Sequence, residues 1–462
     1  MSEEALVSET RTAVLSGSID AAAPRKLRRR AVLVSGIGFF TDSYDLFVIG
    51  IVSTLLKGEW HLSTGQVSLL NAVMLGAAFL GATCFGRLAD AIGRTRVYWI
   101  SAALMVLAAI GSALSPNLAV LAVFRFLLGF GVGGDYPVSA VLMSEYAGHK
   151  DRGRQVGLVF SAQAVGLIIG PLLALAFLGG GAGPGLTWRL LLGLGAIPAA
   201  VAVWLRRKLP ESERFQAAAA AKPGRAQRKA KKPADGLRAF LANRRLLVLL
   251  TGTAGTWFLL DYAYYGNTIS TPRIIDLIKP NASETTTIAI QLAIFAVAAV
   301  PGYILAIAKM DRIGHRRLQL IGFVLMGVCF AVLSLVPGMT TLVVPFLMVY
   351  GVSYFFTEFG PNVTTFVLPG ELFPTSVRAT GHGISAGIGK FGAFIGVFLF
   401  PVLQTSLGLR GTLLLTAGIS VLGALLTLVL PEPAGLSLEE ISGYATQTDI
   451  ADIDHEDAVA AA

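Results

Sequence analysis

Charge is thin in this sequence, and cysteine thinner. Of 462 residues only 14% are Asp, Glu, Lys or Arg, two are cysteine and five histidine, while 54% are hydrophobic. So little polar material cannot solvate a globule of this size, which excludes a water-soluble protein. Cys84 and Cys329 stand far apart in apolar runs, so there is neither a disulfide framework nor a metal-ligand spacing. There is no nucleotide-binding loop, no Gly-x-Ser-x-Gly elbow and no metal-spaced His/Cys set. The expectation is therefore a protein that is not an enzyme and uses no cofactor and no metal. No cleavable signal peptide is expected either, because residues 1–25 are polar and alanine-rich without an apolar core.

What the chain has is long apolar runs, with a mean hydropathy of +0.68. Windows of roughly 20 apolar residues, enough to cross a bilayer, place twelve spans at about 31–56, 66–86, 95–114, 117–145, 155–178, 187–206, 246–270, 286–308, 317–336, 341–367, 379–403 and 410–430. The fold class expected is all-α, a polytopic membrane protein with twelve transmembrane helices in two pseudo-symmetric six-helix halves. The net charge of +9 looks like a nucleic-acid signal until its distribution is read. Arg25–Arg30 precede span 1, Arg87, Arg94 and Arg96 follow span 2, and Lys150, Arg152 and Arg154 follow span 4. Lys309, Arg312, Arg316 and Arg317 follow span 8, whereas the alternate loops hold little beyond Lys57, Arg273, Lys279 and Arg410. Basic residues in alternate short loops are a topology signal. Both termini are expected in the cytoplasm, and nucleic acid is not an expected partner.

The domain order follows: a cytoplasmic tail (1–30), a first six-helix half (31–206), a linker (207–245), a second half (246–431) and a cytoplasmic tail (432–462). The linker is rich in Ala, Lys and Arg and begins Leu209-Pro210-Glu211-Ser212-Glu213. Such a segment is attracted to anionic lipid. The acidic tail is expected to be disordered beyond Tyr444.

The halves repeat each other. Asp90-Ala91-Ile92-Gly93-Arg94 recurs as Asp311-Arg312-Ile313-Gly314-His315-Arg316, and Glu145 with Arg152 recurs as Glu371 with Arg378 at the same separation. On that alignment Gly134 matches Gly360, Gly157 matches Gly383, and Tyr136 falls opposite Asn362. Repeated six-span halves mark rocking transporters that bind substrate at the midplane. The polar stretch Gly133-Gly134-Asp135-Tyr136-Pro137 interrupts an apolar run, and an ionisable group at membrane depth marks a binding or proton pathway by default, a capped helix end being the plainer alternative.

These repeats resemble the major facilitator superfamily, whose loop motif Gly-x-x-x-Asp-x-x-Gly-Arg spans Gly86 to Arg94; the second copy departs from it with His315 where an arginine is usual. Three stretches are similar to the phosphate:proton symporters of fungi and plants: Gly38 to Phe47, the block from Gly133 to Glu145, and Gly360 to Glu371. The resemblance covers residues 30 to 440. It implies a phosphate site made of Tyr136, Gln163, Trp257, Asp261, Tyr265, Asn362 and Lys390. It also implies proton coupling through Asp261 and a cluster of Asp42, Asp45 and Asp135, with Asp45 and Asp135 preferred over Asp42. Asp90, Arg94, Glu145, Arg152, Asp311, Arg316, Glu371 and Arg378 are expected at a cytoplasmic gate. Arg125 is open between a structural pairing and the proton path. His61, His149 and His315 are expected in loops, and His382 in packing.

The chemistry is coherent without the name. Positions 257, 261 and 265 fall on one stripe of a helix. The indole, phenol and amide groups of the set are neutral donors for phosphate oxygens. Lys390 adds a point charge. A carboxylate at Asp261 repels an anion whereas a protonated carboxyl donates to it, so proton and phosphate binding support each other. The expected function is import of inorganic phosphate with protons across a plasma membrane, in the manner of a bacterial inner-membrane protein, by a monomer in the lipid bilayer. A proton symporter for an aromatic or other organic acid is the rival within transport. A non-transporting phosphate sensor is the rival from another class, against which the intact aspartate set and both gate loops speak.

Overall fold

A computed structural model describes residues 25–146, 152–207, 242–374, 377–438 and 440–441, without the side chains of residues 25–28, 90, 142 and 144–146. The expected tail over residues 1–24, the body of the linker and the end of the acidic tail lie outside the described residues. So do Lys150, His149 and the side chains of Asp90 and Glu145.

Every regular element among the described residues is helical. Spans 1 to 6 run Arg29–Glu59, Thr64–Ala89, Arg94–Ala113, Leu118–Val141, Arg152–Gly179 and Pro184–Arg206; spans 7 to 10 run Arg244–Ile269, Glu284–Ile313, His315–Leu335 and Val343–Leu372. Spans 11 and 12 share one helical run, Arg378–Thr427, where the sequence suggests a loop at 404–409; only Gly408, at φ 69°, leaves the helical conformation. The chain is thus all-α, with twelve transmembrane helices in two six-helix pseudo-symmetric halves. Leu107, Val297 and Val344, at 68, 77 and 65% exposure, point outward, as residues facing hydrocarbon do.

The reason for the repeated loop motif is visible in its backbone. Gly93 has φ 105° and ψ 151°, and Gly314 has φ 97° and ψ 143°. Both are left-handed positions that a side chain would strain, and each lets one helix end and the next begin immediately. The first acidic residue after span 12, Glu432, accepts from the backbone N–H groups of His315 at 2.8 Å, Arg316 at 3.1 Å and Arg317 at 3.4 Å. These are the free donors at the start of span 9, and a carboxylate there complements the helix dipole.

The halves meet where span 2 packs on span 11 and span 5 on span 8. Three breaks re-aim side chains along this seam. Span 5 is interrupted at Ala162, just before Gln163. Span 8 has a π-helical turn at Phe295–Ala299 ahead of Pro301, whose ring nitrogen cannot donate to the helix ladder. Span 10 leaves the helix at Gly360, φ −117° and ψ −102°, before Pro361, because a residue preceding proline is pushed out of the helical region.

Candidate functional site

At mid-depth, span 7 presents Trp257, Asp261 and Tyr265 on one stripe, facing Lys390 of span 11 and Tyr136 of span 4. Lys390 Nζ donates to Asp261 Oδ2 at 2.9 Å and to Tyr265 Oη at 3.0 Å. It also lies 4.5 Å from the Tyr136 ring centre and 4.3 Å from that of Tyr265, a cation over two aromatic faces. The Tyr136 and Tyr265 hydroxyls are 3.5 Å apart. All five side chains are buried. One cation, one carboxyl, two phenols and an indole thus converge from both halves.

Aromatic rings close the cluster on two sides. Toward the arginine-rich end, Phe39, Phe160 and Phe366 pack on one another with ring centres 4.7 to 5.4 Å apart, and Phe39 meets the Tyr136 ring edge-on at 5.1 Å. His382 packs against Trp257 at 5.5 Å and bonds Phe366 O at 3.0 Å. Toward the opposite end, Phe47 stacks on Tyr265 at 5.4 Å. Beyond it lies a cleft of about 90 Å³ between spans 1, 2, 7 and 11, whose lining includes Lys57 and Arg273.

Gln163 and Asn362 flank the cluster without bonding to it. Gln163 stands one turn beyond Phe160, buried, and neither amide atom has a hydrogen-bond partner. Asn362, one turn before Phe366, donates to Tyr303 Oη at 2.8 Å and to the Glu358 carboxylate.

The three aspartates of spans 1 and 4 divide between two places. Asp135 is held by Arg206, with Nη2 donating to Oδ2 at 2.7 Å and Nη1 2.7 Å from Oδ1. The same guanidinium lies 3.8 Å over the Tyr98 ring and donates to Tyr98 O at 3.2 Å. Asp42 faces this pair. Asp45 stands apart: Arg125 donates to its backbone carbonyl at 2.8 Å and faces its carboxyl electrostatically. Both Asp42 and Asp45 are buried, Asp42 against the Asp135 carboxyl.

At the arginine-rich end the two halves are tied together. Asp311 accepts from the Arg154 backbone N–H at 3.1 and 3.3 Å, and Arg152 donates to Leu436 O at 3.2 Å. His315 is buried and bridges Asp311, at 3.2 Å, and Glu371, at 3.0 Å. This corrects its reading as a loop residue, since the second motif uses histidine as a bridging side chain at its helix start. Glu371 pairs with His315, and Arg378 donates to Phe373 O at 2.9 Å. Arg316 donates to Leu428 O at 2.8 Å, and Arg94 is buried at the start of span 3.

Sequence reasoning passed over two buried ions. Arg206 closes the apolar window 187–206, next to Arg207 and Lys208, and drew no separate reading. Glu358 lies within the apolar window 341–367, where an ionisable side chain should by itself have drawn notice.

The profile of the Major Facilitator Superfamily matches residues 35–397. The chain is 35% identical to the probable inorganic phosphate transporter 1-6 of Arabidopsis thaliana, over 92% of this chain and 95% of that one. It is 36% identical to the inorganic phosphate transporter 1-6 of Oryza sativa subsp. japonica, over 93% and 95%. Among solved structures, the proton:xylose symporter XylE bound to 6-bromo-6-deoxy-D-glucose superposes with a TM-score of 0.74 at 20% identity, over 91% of this chain and 99% of that one. The chain belongs to the Major Facilitator Superfamily, in the family formed by these inorganic phosphate transporter relatives.

Proposed function

We propose that the protein imports inorganic phosphate together with protons by alternating access, as a monomer in the plasma membrane, with the arginine-rich end and both termini in the cytoplasm. The observation that carries this reading is the Lys390–Asp261 pair, enclosed by Tyr136, Tyr265 and Trp257 at the seam between the halves. A phosphate oxygen needs donors, and this cluster offers an ammonium, two phenols and an indole, with the amides of Gln163 and Asn362 one shell away. The carboxylate competes with the anion for Lys390. Protonating Asp261 ends that competition, releases the ammonium to phosphate and turns the carboxyl itself into a donor. Proton and phosphate then bind better together than apart, which is the thermodynamic content of symport.

Asp42, Asp45 and Asp135 supply the proton route through the first half, where Arg206 holds Asp135 and Arg125 faces Asp45. Lys57 and Arg273 line the outward cleft and draw the anion in. The ties made by Arg152, Asp311, His315 and Glu371 close the cytoplasmic side, so the described conformation is closed there. Each net positive charge carried inward gains about 2.3 kcal/mol per 100 mV of membrane potential.

The test is uptake of radiolabelled phosphate into proteoliposomes under an imposed inward proton gradient. The reading requires gradient-driven accumulation that Asp261→Asn abolishes. Uptake indifferent to the gradient would sink the coupling, and transport of benzoate-like acids in place of phosphate would hand the protein to the organic-acid reading.

A further inference from the structure

Glu358 of span 10 has no role in the scheme above, yet it is fully buried. One oxygen accepts from the Asn362 amide, and the Tyr303 and Tyr264 hydroxyls face the carboxyl. No ion pair to it exists among the described residues. The titratable groups facing it are Tyr264 from span 7, Tyr303 from span 8, and Tyr354 from its own span. Gly302 of span 8 packs directly against its side chain, and span 9 contributes only Met326 and Phe330 to the adjoining cavity. No cation is among these neighbours. A carboxyl in such surroundings can hold a proton without giving up a counter-ion, which Asp261 and Asp135 cannot do.

A polar track connects it to the outward cleft. Tyr354 Oη donates to Thr268 Oγ1 at 3.1 Å and lies 3.1 Å from Thr271 Oγ1. Tyr350 Oη lies 3.3 Å from Tyr354 Oη and 3.1 Å from Thr271 Oγ1. Thr271 is next to Ser270 and Pro272, which line the cleft. Between this ladder and Glu358 stands the Tyr264 hydroxyl, which faces the Glu358 carboxyl. Beside it is a cavity of about 10 Å³ bounded by Tyr264, Asn267, Ser353, Tyr354 and Thr357, about the volume that one water occupies.

We propose that Glu358 is a second proton-carrying carboxyl, loaded from the outward cleft through the Tyr350 and Tyr354 hydroxyls, and that its protonation delivers Asn362 to phosphate. The proposal rests on the proton-coupled reading given above. In the ionised state the carboxylate accepts the Asn362 N–H and turns the amide toward Tyr303. A proton from the outward solution adds to one carboxyl oxygen, each hydroxyl on the way passing one proton on and taking one up. The neutral carboxyl is the weaker acceptor, and the Asn362 N–H turns to a phosphate oxygen. On the cytoplasmic side phosphate leaves, the proton leaves the carboxyl, and the amide returns to Glu358. No bond other than O–H forms or breaks.

The experiment measures proton and phosphate uptake together in proteoliposomes, with radiolabelled phosphate and an entrapped pH dye. In Glu358→Gln the ratio of protons to phosphate should fall by about one relative to the unmodified chain. Glu358→Asp should keep the ratio while displacing the pH midpoint of uptake, and Tyr354→Phe should slow gradient-driven uptake at an unchanged ratio. An unaltered ratio in Glu358→Gln overturns the proposal. Should that variant fail to fold, an unmoved pH midpoint in Glu358→Asp overturns it instead. Loss of gradient dependence in the unmodified chain would be a failure of the transport reading and is seen in the same assay before any variant is compared.

Discussion

The ammonium of Lys390 is 2.9 Å from the Asp261 carboxylate, and both are sealed from solvent at the junction of the two halves. The cation best placed to attract an anion is thus already occupied by one. On the proposed function, loading the site would exchange one partner of Lys390 for another, and affinity and coupling would share the same atoms.

Breaking this pair from one side should be far worse than removing both members. Lys390→Met leaves a buried carboxylate alone, at about 3–5 kcal/mol of stability. Asp261→Asn with Lys390→Met should recover most of that loss and still fail to accumulate phosphate. Thermal unfolding of the purified variants decides it; a double variant no more stable than Lys390→Met alone contradicts the pairing.

Arg206 should behave as the obligatory partner of Asp135. Arg206→Met removes the cation and both contacts to the carboxylate, again on the order of 3–5 kcal/mol, whereas Asp135→Asn in the same background restores folding without restoring uptake. Arg206→Lys keeps the charge and loses the planar contact over Tyr98, an intermediate loss of about 2 kcal/mol. Expression level and melting temperature across the four chains read this directly, and equal stability of Arg206→Met and the original would refute it.

On the proposed function, Gln163 should trade stability for binding. A buried amide with no partner costs roughly 1–3 kcal/mol, so Gln163→Leu should raise the melting temperature. The same change removes a donor for phosphate, a loss of about 1 kcal/mol or roughly fivefold in affinity. A variant both more stable and equally tight in equilibrium phosphate binding would show that the amide serves another purpose.

Gly153 is the wedge point of the cytoplasmic closure. A Cβ there would lie 2.1 Å from His315 Nε2 and 2.5 Å from Asp311 Oδ1, so Gly153→Ala should strain the bridge and favour parting the halves at this end. Overpacking of this kind opposes the closed state by about 1–3 kcal/mol. Spin labels at the exposed positions Arg96 and Arg312, with Cys84 replaced, should report a longer mean distance in Gly153→Ala. An unchanged distance distribution would mean that the bridge yields locally instead.

The fold was legible because apolar length and the doubled loop motif are both local signals. Gly93 and Gly314 needed only to be read as positions where no side chain fits. The stripe of Trp257, Asp261 and Tyr265 was legible for the same reason, since a helix stacks residues four apart. Where the sequence fell short, a rotamer or a distant partner decides. Asn362 turns to Glu358 and Tyr303, and no spacing encodes that choice. Asp42 and Asp45, three residues apart, sit on adjacent faces of span 1. One looks to Asp135 and Arg206 and the other to Arg125, which separates a cluster that sequence proximity suggests is single. Arg206 passed unremarked because it closes an apolar window beside a basic run, and His315 looked like loop because its two carboxylate partners lie on different segments.

The short segment after span 12 reaches both halves, with Glu432 seated on the start of span 9 and the Leu436 carbonyl taking the Arg152 guanidinium. It works as a strap across the closed face, and on the proposed alternating access one end of the strap must come off whenever that face opens. A reporter protein or affinity tag fused close behind it pulls on the same strap, so the working conformation of a tagged carrier depends on how many residues separate the tag from Leu436.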